Sequence, residues 1–202
     1  MTKLFLILFF VTPLLACTAE ASNSNQTLVM QHISTIVSGK SNRADRQYWR
    51  GLLNWSNECE EGFQYPESVS GIDIYPMNDS DYIIRVTCTL GAYQGYQQFY
   101  RLSLAGDKAK VTALLFPLYE VINKHVIKNK PAADIWGNVL NNADYKNFTV
   151  LNQYSGYGNC GTLTTYKITD DTVTATKFRA APDCESKTSS RDPDKWTEYR
   201  IA

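Results

Sequence analysis

The chain has 202 residues, of which 44% are hydrophobic and 20% charged, enough apolar surface for a buried core and too much for a disordered chain or a fibre. Its 20 basic and 20 acidic side chains cancel to a formal net charge of +0, with no long run of either sign, so it lacks the basic stripe with which a nucleic-acid binder displaces phosphate counterions. Aromatics make up 12%, with 13 tyrosines, a composition suited to half-buried sheet surfaces.

At the amino terminus Lys3 precedes an apolar run over residues 4–15 that stops at small residues. A helix needs about 20 residues to cross a bilayer core of about 30 Å, so this run has instead the length of a signal-peptide centre. It ends Leu14-Leu15-Ala16-Cys17, which resembles the lipobox of bacterial lipoproteins, where cleavage precedes the cysteine and its thiol receives lipid. That resemblance implies a signal peptide over 1–16, a lipid anchor on Cys17, a polar tether over 17–26 and a globular unit over 27–202. With Thr18 after the cysteine rather than aspartate, it also implies the outer membrane, facing the periplasm. The alternative is a small-x-small cleavage site at Ala19-Glu20-Ala21, releasing a soluble periplasmic protein that begins near Ser22.

Setting Cys17 aside leaves Cys59, Cys88, Cys160 and Cys184, an even set that reads as two disulfides in an oxidising compartment. Three pairings are open; Cys59 with Cys88 and Cys160 with Cys184 is preferred, because each pair is close in sequence and falls in its own half. No two of the four form a CxxC, so neither a zinc site nor a redox motif is expected, and no metal or cofactor is assigned.

Over residues 27–37 the apolar side chains recur at three and four, which predicts a helix closed by Gly39, and a second amphipathic stretch over 43–53 predicts another. Beyond Cys59 the rhythm turns to that of strands, at 72–75, 81–90, 96–104 and 109–116, whose short connections fit an antiparallel meander. Residues 118–125 are ambiguous between helix and loop. Strands are predicted again over 148–154, 163–168, 173–178 and 196–201, with a hairpin turn at Asp170-Asp171 and a surface loop between Cys184 and Trp196. The fold class is α+β, amino-terminal helices on a mainly antiparallel sheet system, as one unit or as two small lobes of 27–130 and 131–202 sharing a core.

Two stretches carry a resemblance. Cys88-Thr89-Leu90-Gly91-Ala92-Tyr93-Gln94-Gly95-Tyr96-Gln97-Gln98-Phe99, and Tyr157-Gly158-Asn159-Cys160-Gly161-Thr162 followed by Tyr166, Phe178, Arg179 and Cys184, resemble exported bacterial proteins of the family called domain of unknown function 1176. Asn159 stands where that pattern has aspartate, and Glu185-Ser186 where it has an acidic residue and glycine. The resemblance implies an exported β-rich unit and no particular chemistry.

The two histidines, His32 on the apolar face of the first helix and His125 beside Lys124, read as structural and solvated, and no GxSxG elbow occurs. Candidate ligand loops are Tyr93, Gln94, Gly95 and Tyr96 in the first stretch and Tyr157, Gly158 and Asn159 in the second, where aromatic faces and backbone donors suit a sugar or peptide; tight aromatic turns explain the same residues without a ligand. The expected role is a non-catalytic envelope module binding a cell-wall or protein partner. The alternatives are a glycan hydrolase using Glu58, Glu60 and Glu61, and a soluble inhibitor-like protein.

Overall fold

The computed structural model describes residues 19–91, 94–105, 109–140, 146–186 and 189–201. The expected leader, the anchor Cys17 and Tyr93 of the first glycine loop lie outside the described residues.

The chain opens with α1 (Ala19–Val37), which begins earlier than the 27–37 periodicity predicts and reaches back into the polar stretch. Then comes α2 (Arg43–Leu53), bounded as predicted. Its start is fixed by a capping box: Asn42 accepts from the Ala44 N–H while the Asp45 carboxylate accepts from the Asn42 N–H, satisfying donors at the helix start that have no partner within it. The same carboxylate meets His32 Nδ1 at 3.0 Å, and the His32 ring stacks on Tyr48 with centroids 3.6 Å apart. His32 is therefore a tie between two helices. His125 is exposed. A short α3 (Asn57–Glu61), which periodicity did not announce, is capped by Ser56.

Strands β1 (Ile72–Pro76), β2 (Asp81–Leu90), β3 (Gly95–Ser103) and β4 (Lys110–Ala113) form the predicted antiparallel meander. The ambiguous stretch resolves into a hairpin, β5 (Tyr119–Ile122) and β6 (His125–Lys128), followed by β7 (Asp134–Trp136), which joins the first sheet beside β3. Strands β8 (Asn138–Leu140), β9 (Asn147–Gln153), β10 (Gly161–Thr169), β11 (Thr172–Ala181) and β12 (Thr197–Tyr199) make a second antiparallel sheet in the order β12-β11-β10-β9-β8. Asp170, with φ of 53°, turns the predicted β10–β11 hairpin. The predicted strand over 109–116 ends at Ala113, leaving Phe116 in an isolated bridge to Ala132, and the one over 196–201 shortens to β12.

The layers follow from which side chains each strand turns to which face. Tyr82, Ile84, Val86 and Cys88 of β2 pack with Tyr100 and Leu102 of β3 against Val29, Ile33, Trp49 and Leu53 of the helices. Ile83 and Phe99 point the other way and meet Phe148, Val150, Tyr166 and Ile168 of the second sheet. The first sheet is thus buried on both faces, in a helix–sheet–sheet sandwich, which is why its central strands read as near-continuous apolar runs. Phe99 stacks on Phe148 at 5.2 Å, and Phe116 meets Tyr166 edge-on at 5.1 Å, so the inter-sheet core is an aromatic cluster.

Both preferred disulfides are present, Cys59–Cys88 tying α3 to β2 and Cys160–Cys184 tying the start of β10 to the segment after β11. Among the described residues no helix is long and apolar enough to cross a membrane.

Burial leaves a mark on titration. Tyr96 and Tyr100 are pushed up to about 12 by desolvation, with nearby Asp134 adding to both, and burial raises Tyr166 as well. An unfolded tyrosine ionises near 10, so these groups favour the folded state fully below that pH and lose their contribution as pH rises through their folded values. Stability is expected to fall steeply between about pH 10 and 12, checked by urea unfolding at stepped alkaline pH, with tyrosinate absorbance from these residues appearing only as the fold opens.

Candidate functional site

The two glycine-containing loops are far apart in sequence and meet in space. Gly91 donates to the Gln94 carbonyl at 2.7 Å, closing the end of the β2–β3 hairpin. The Gln94 side chain then accepts from the Gln153 backbone N–H at 2.8 Å, where β9 runs into the second loop. Gly95 accepts from the Gly137 N–H at 2.9 Å, and Gln97 Nε2 donates to the Gly137 carbonyl at 2.8 Å. Gly137 has φ of 133°, and a Cβ there would stand 2.6 Å from the Leu151 carbonyl oxygen, so only glycine lets β7 pass into β8 so close to β9. Gly161 meets the same constraint on the other side of β9: its φ is 146° and a Cβ would lie 2.1 Å from the Asn152 carbonyl oxygen.

These backbone contacts bring Trp136 over Tyr96, with ring centroids 5.2 Å apart and planes 26° from parallel. Beneath them runs a polar chain: the Tyr100 hydroxyl donates to Gln98 Oε1 at 2.7 Å, and Gln98 Nε2 donates to Asp134 Oδ1 at 2.7 Å. Each bond fixes the next, so Asp134 is held in one orientation.

Several predicted loop residues are committed to structure. The Asn159 amide donates to the Cys184 carbonyl at 2.9 Å and its Oδ1 accepts from Ser155, while Gly95 and Gly158 are buried. Tyr157 is 79% exposed, with its ring face available to a partner.

A cleft of about 230 Å³ opens where the inner face of the second sheet extends past the edge of the first. Its lining includes Trp136 and Tyr154, which are 50% and 45% exposed, leaving two aromatic surfaces in reach of solvent. The buried hydroxyls of Thr162 and Thr164 lie deeper, and the polar groups of Glu120, Asn129, Asp134 and Asn152 complete the wall. Asn129 donates to Glu120 at 3.1 Å, so the hairpin's contribution is also positioned. Tyr154 is raised by burial, with the Glu120 charge adding and a Thr162 hydrogen bond opposing.

Sequence reading named Tyr96 at the margin of this site but not Trp136, Asp134 or Glu120. Trp136-Gly137 was the available signal, an exposed aromatic beside a glycine.

The three acids near Cys59 are dispersed. Glu60 accepts from Arg46 Nε at 2.8 Å and from Trp55 Nε1 at 3.0 Å, serving as counterion to a guanidinium with no exposed surface. Glu58, at the start of α3, is held below the usual carboxylate range by its own backbone N–H and by the Ser56 hydroxyl. Asp81 and Glu198 are also lowered, Asp81 first by Asn78 and Glu198 first by Lys177. No group of three or more His, Cys, Asp or Glu that could hold a metal occurs among the described residues.

Compared with family models, with curated proteins and with solved structures, the chain matches none.

Proposed function

We propose that the protein is an exported lipoprotein of the bacterial envelope, anchored through Cys17, that binds cell-wall glycan without cleaving it. The observation that carries this reading is the cleft with Trp136 and Tyr154 solvent-accessible above Thr162 and Thr164, with Asp134 and Glu120 pre-oriented by neighbouring amides. Sugars present apolar faces edged with hydroxyls, and exposed aromatic planes beside fixed amide and carboxylate groups complement both features. The resemblance to the family called domain of unknown function 1176 rests on residues that build this region, since Gln94 and Gly95 bridge to Gln153 and Gly137. Two disulfides are consistent with maturation in an oxidising compartment.

Binding is favoured over hydrolysis because the acids that the sequence offers for glycan cleavage are not gathered at the cleft: Glu58 and Glu61 face solvent, Glu60 is engaged by Arg46, and none of the three is in its lining.

Co-sedimentation of the mature protein with insoluble peptidoglycan tests the proposal. Retention by the pellet is expected, with Trp136→Ala and Tyr154→Ala each weakening it about tenfold, since a stacked ring contributes of order 1 kcal/mol beyond its area. Release of soluble glycan fragments, or equal retention of both variants, would overturn it.

A further inference from the structure

A larger groove than the cleft lies beside it, and its walls belong to two strand edges. It encloses about 630 Å³ between β4, the segment 115–117 and the first residues of β11. Both strands are open there. β4 pairs only with β3, and β12 covers β11 only at Phe178, Arg179 and Ala180, so among the described residues the outer edge of β11 over 172–177 faces no strand. A row of unpaired backbone donors and acceptors is a template for another strand, and protein edges are normally shortened, charged or covered. Here the residues lining the groove along β11 are Thr172, Val173, Thr174 and Ala175, β-branched or small and uncharged, and the edge is protected only past them, by the register shift at Thr176 and the Lys177–Glu198 ion pair. Opposite them Leu115 leaves 52% of its surface in solvent.

The groove's charges identify its occupant further. Asp171 pairs with Arg101 at 3.1 Å and Lys110 at 3.2 Å, and Arg101 is shared with Asp81 and Asp170. Lys128 lies over the Tyr119 ring at 6.0 Å and makes no ion pair among the described residues. Of the two charged residues that line the groove, Lys128 is therefore the one open to a partner's charge, on a wall of apolar and threonine side chains.

We propose that this groove binds an extended segment of a partner protein by strand addition to β11, with apolar side chains at alternate positions entering beside Leu115 and Val173 and a carboxylate of the partner meeting Lys128. Backbone hydrogen bonds supply the affinity in this mode, and the pockets for alternate side chains supply the selection. The four lining residues of β11 span about 13 Å, the reach of a short linear motif. The groove and the glycan cleft share Tyr119 in their linings, but the residues that test each, Leu115 and Lys128 here and Trp136 and Tyr154 there, do not overlap.

The test is an array of octapeptides in which Val, Ile, Leu or Phe alternates with Thr, each carrying one Glu and a free carboxyl end, probed with the folded mature protein. Binding of a subset is expected. For the tightest member, methylating two backbone amides on its pairing edge should weaken binding about tenfold or more, and Lys128→Glu about threefold to tenfold. Amide hydrogen exchange should slow over 172–177 on binding. Leu115→Glu, at an exposed position, should abolish binding while leaving the circular dichroism unchanged. Failure of every array member to bind, equal binding of the methylated peptide, or protection confined to another edge would overturn the proposal. So would self-association of the free protein through this edge, detected by sedimentation and removed by Leu115→Glu.

Discussion

Replacing Glu60 with glutamine is expected to destabilise the protein by about 3 kcal/mol, at the lower end of what breaking a buried ion pair costs. The reason lies in Arg46, which has no exposed surface. Its Nη1 donates to the carbonyls of Ser70 at 3.0 Å and Thr87 at 3.1 Å, its guanidinium lies 3.6 Å from the Phe63 ring centroid and 4.9 Å from that of Trp55, and its Nη2 has no hydrogen-bond partner among the described residues. Burial lowers the Arg46 pKa, with Glu60 opposing that loss most strongly. Glutamine keeps an acceptor for Nε and for Trp55 but removes the countercharge, leaving a cation in a low-dielectric setting. The cation itself makes no net gain by being there. Arg46→Met combined with Glu60→Leu is therefore expected to cost at least 1 kcal/mol less than the two single changes summed, a coupling that urea unfolding of the four proteins in a double-mutant cycle measures directly. Additive losses would mean that the pair acts through packing alone.

The same cluster explains why the acids beside Cys59 mislead a reader of the sequence. Glu58, Glu60 and Glu61 lie close along the chain, but in a helix Glu60 does not share the face that Glu58 and Glu61, three residues apart, have in common. Once residues 57–61 coil into α3, Glu60 turns inward to Arg46 and Glu58 and Glu61 turn to solvent. What the sequence made legible was periodic and long: α2, the β2–β3 pair, the β10–β11 hairpin and the two cysteine pairs. The runs Tyr82-Ile83-Ile84 and Phe99-Tyr100 even signalled burial on both faces, since a one-sided strand would alternate. What stayed hidden was short or set by tertiary contact. The β5–β6 hairpin turns through Asn123 and Lys124 with φ of 52° and 66°, a conformation for which the lysine gives no clue. Strands β7 and β8 have three residues each, too few for any period to show, yet β7 supplies Trp136 and Asp134 to the candidate site. The glycine loops were legible as special backbone, whereas their meeting through Gln94 and Gln153 was not, because a hydrogen bond across 59 positions leaves no local pattern.

The two disulfides should differ in what their loss costs, although their loops are nearly equal. With separations of 29 and 24 residues, the chain-entropy model puts both near 3 to 4 kcal/mol and within about 0.2 kcal/mol of each other. The surroundings break the tie. Cys59 and Cys88 have no exposed surface and belong to the core between helices and first sheet, with Trp55 and Val86 in the same cluster. Serine at both positions would bury two hydroxyls among apolar side chains, adding about 1 to 3 kcal/mol for each one left without a partner. Cys184 is exposed and Cys160 lies within reach of the Ser155 hydroxyl at 3.4 Å, so serines there keep access to water or a neighbour. Cys59→Ser with Cys88→Ser is therefore expected to be the more destabilising double change by at least about 1 kcal/mol in urea unfolding. Under mild reductant the Cys160–Cys184 bond, reached through the exposed Cys184, should open first in the folded protein, and alkylation followed by peptide mass mapping should find Cys160 and Cys184 modified while Cys59 and Cys88 remain joined. Equal destabilisation by the two double changes would leave loop entropy as the whole of their contribution. Simultaneous reduction in the native state would show that the core around Cys59 opens far more readily than its packing against Trp55 and Val86 allows.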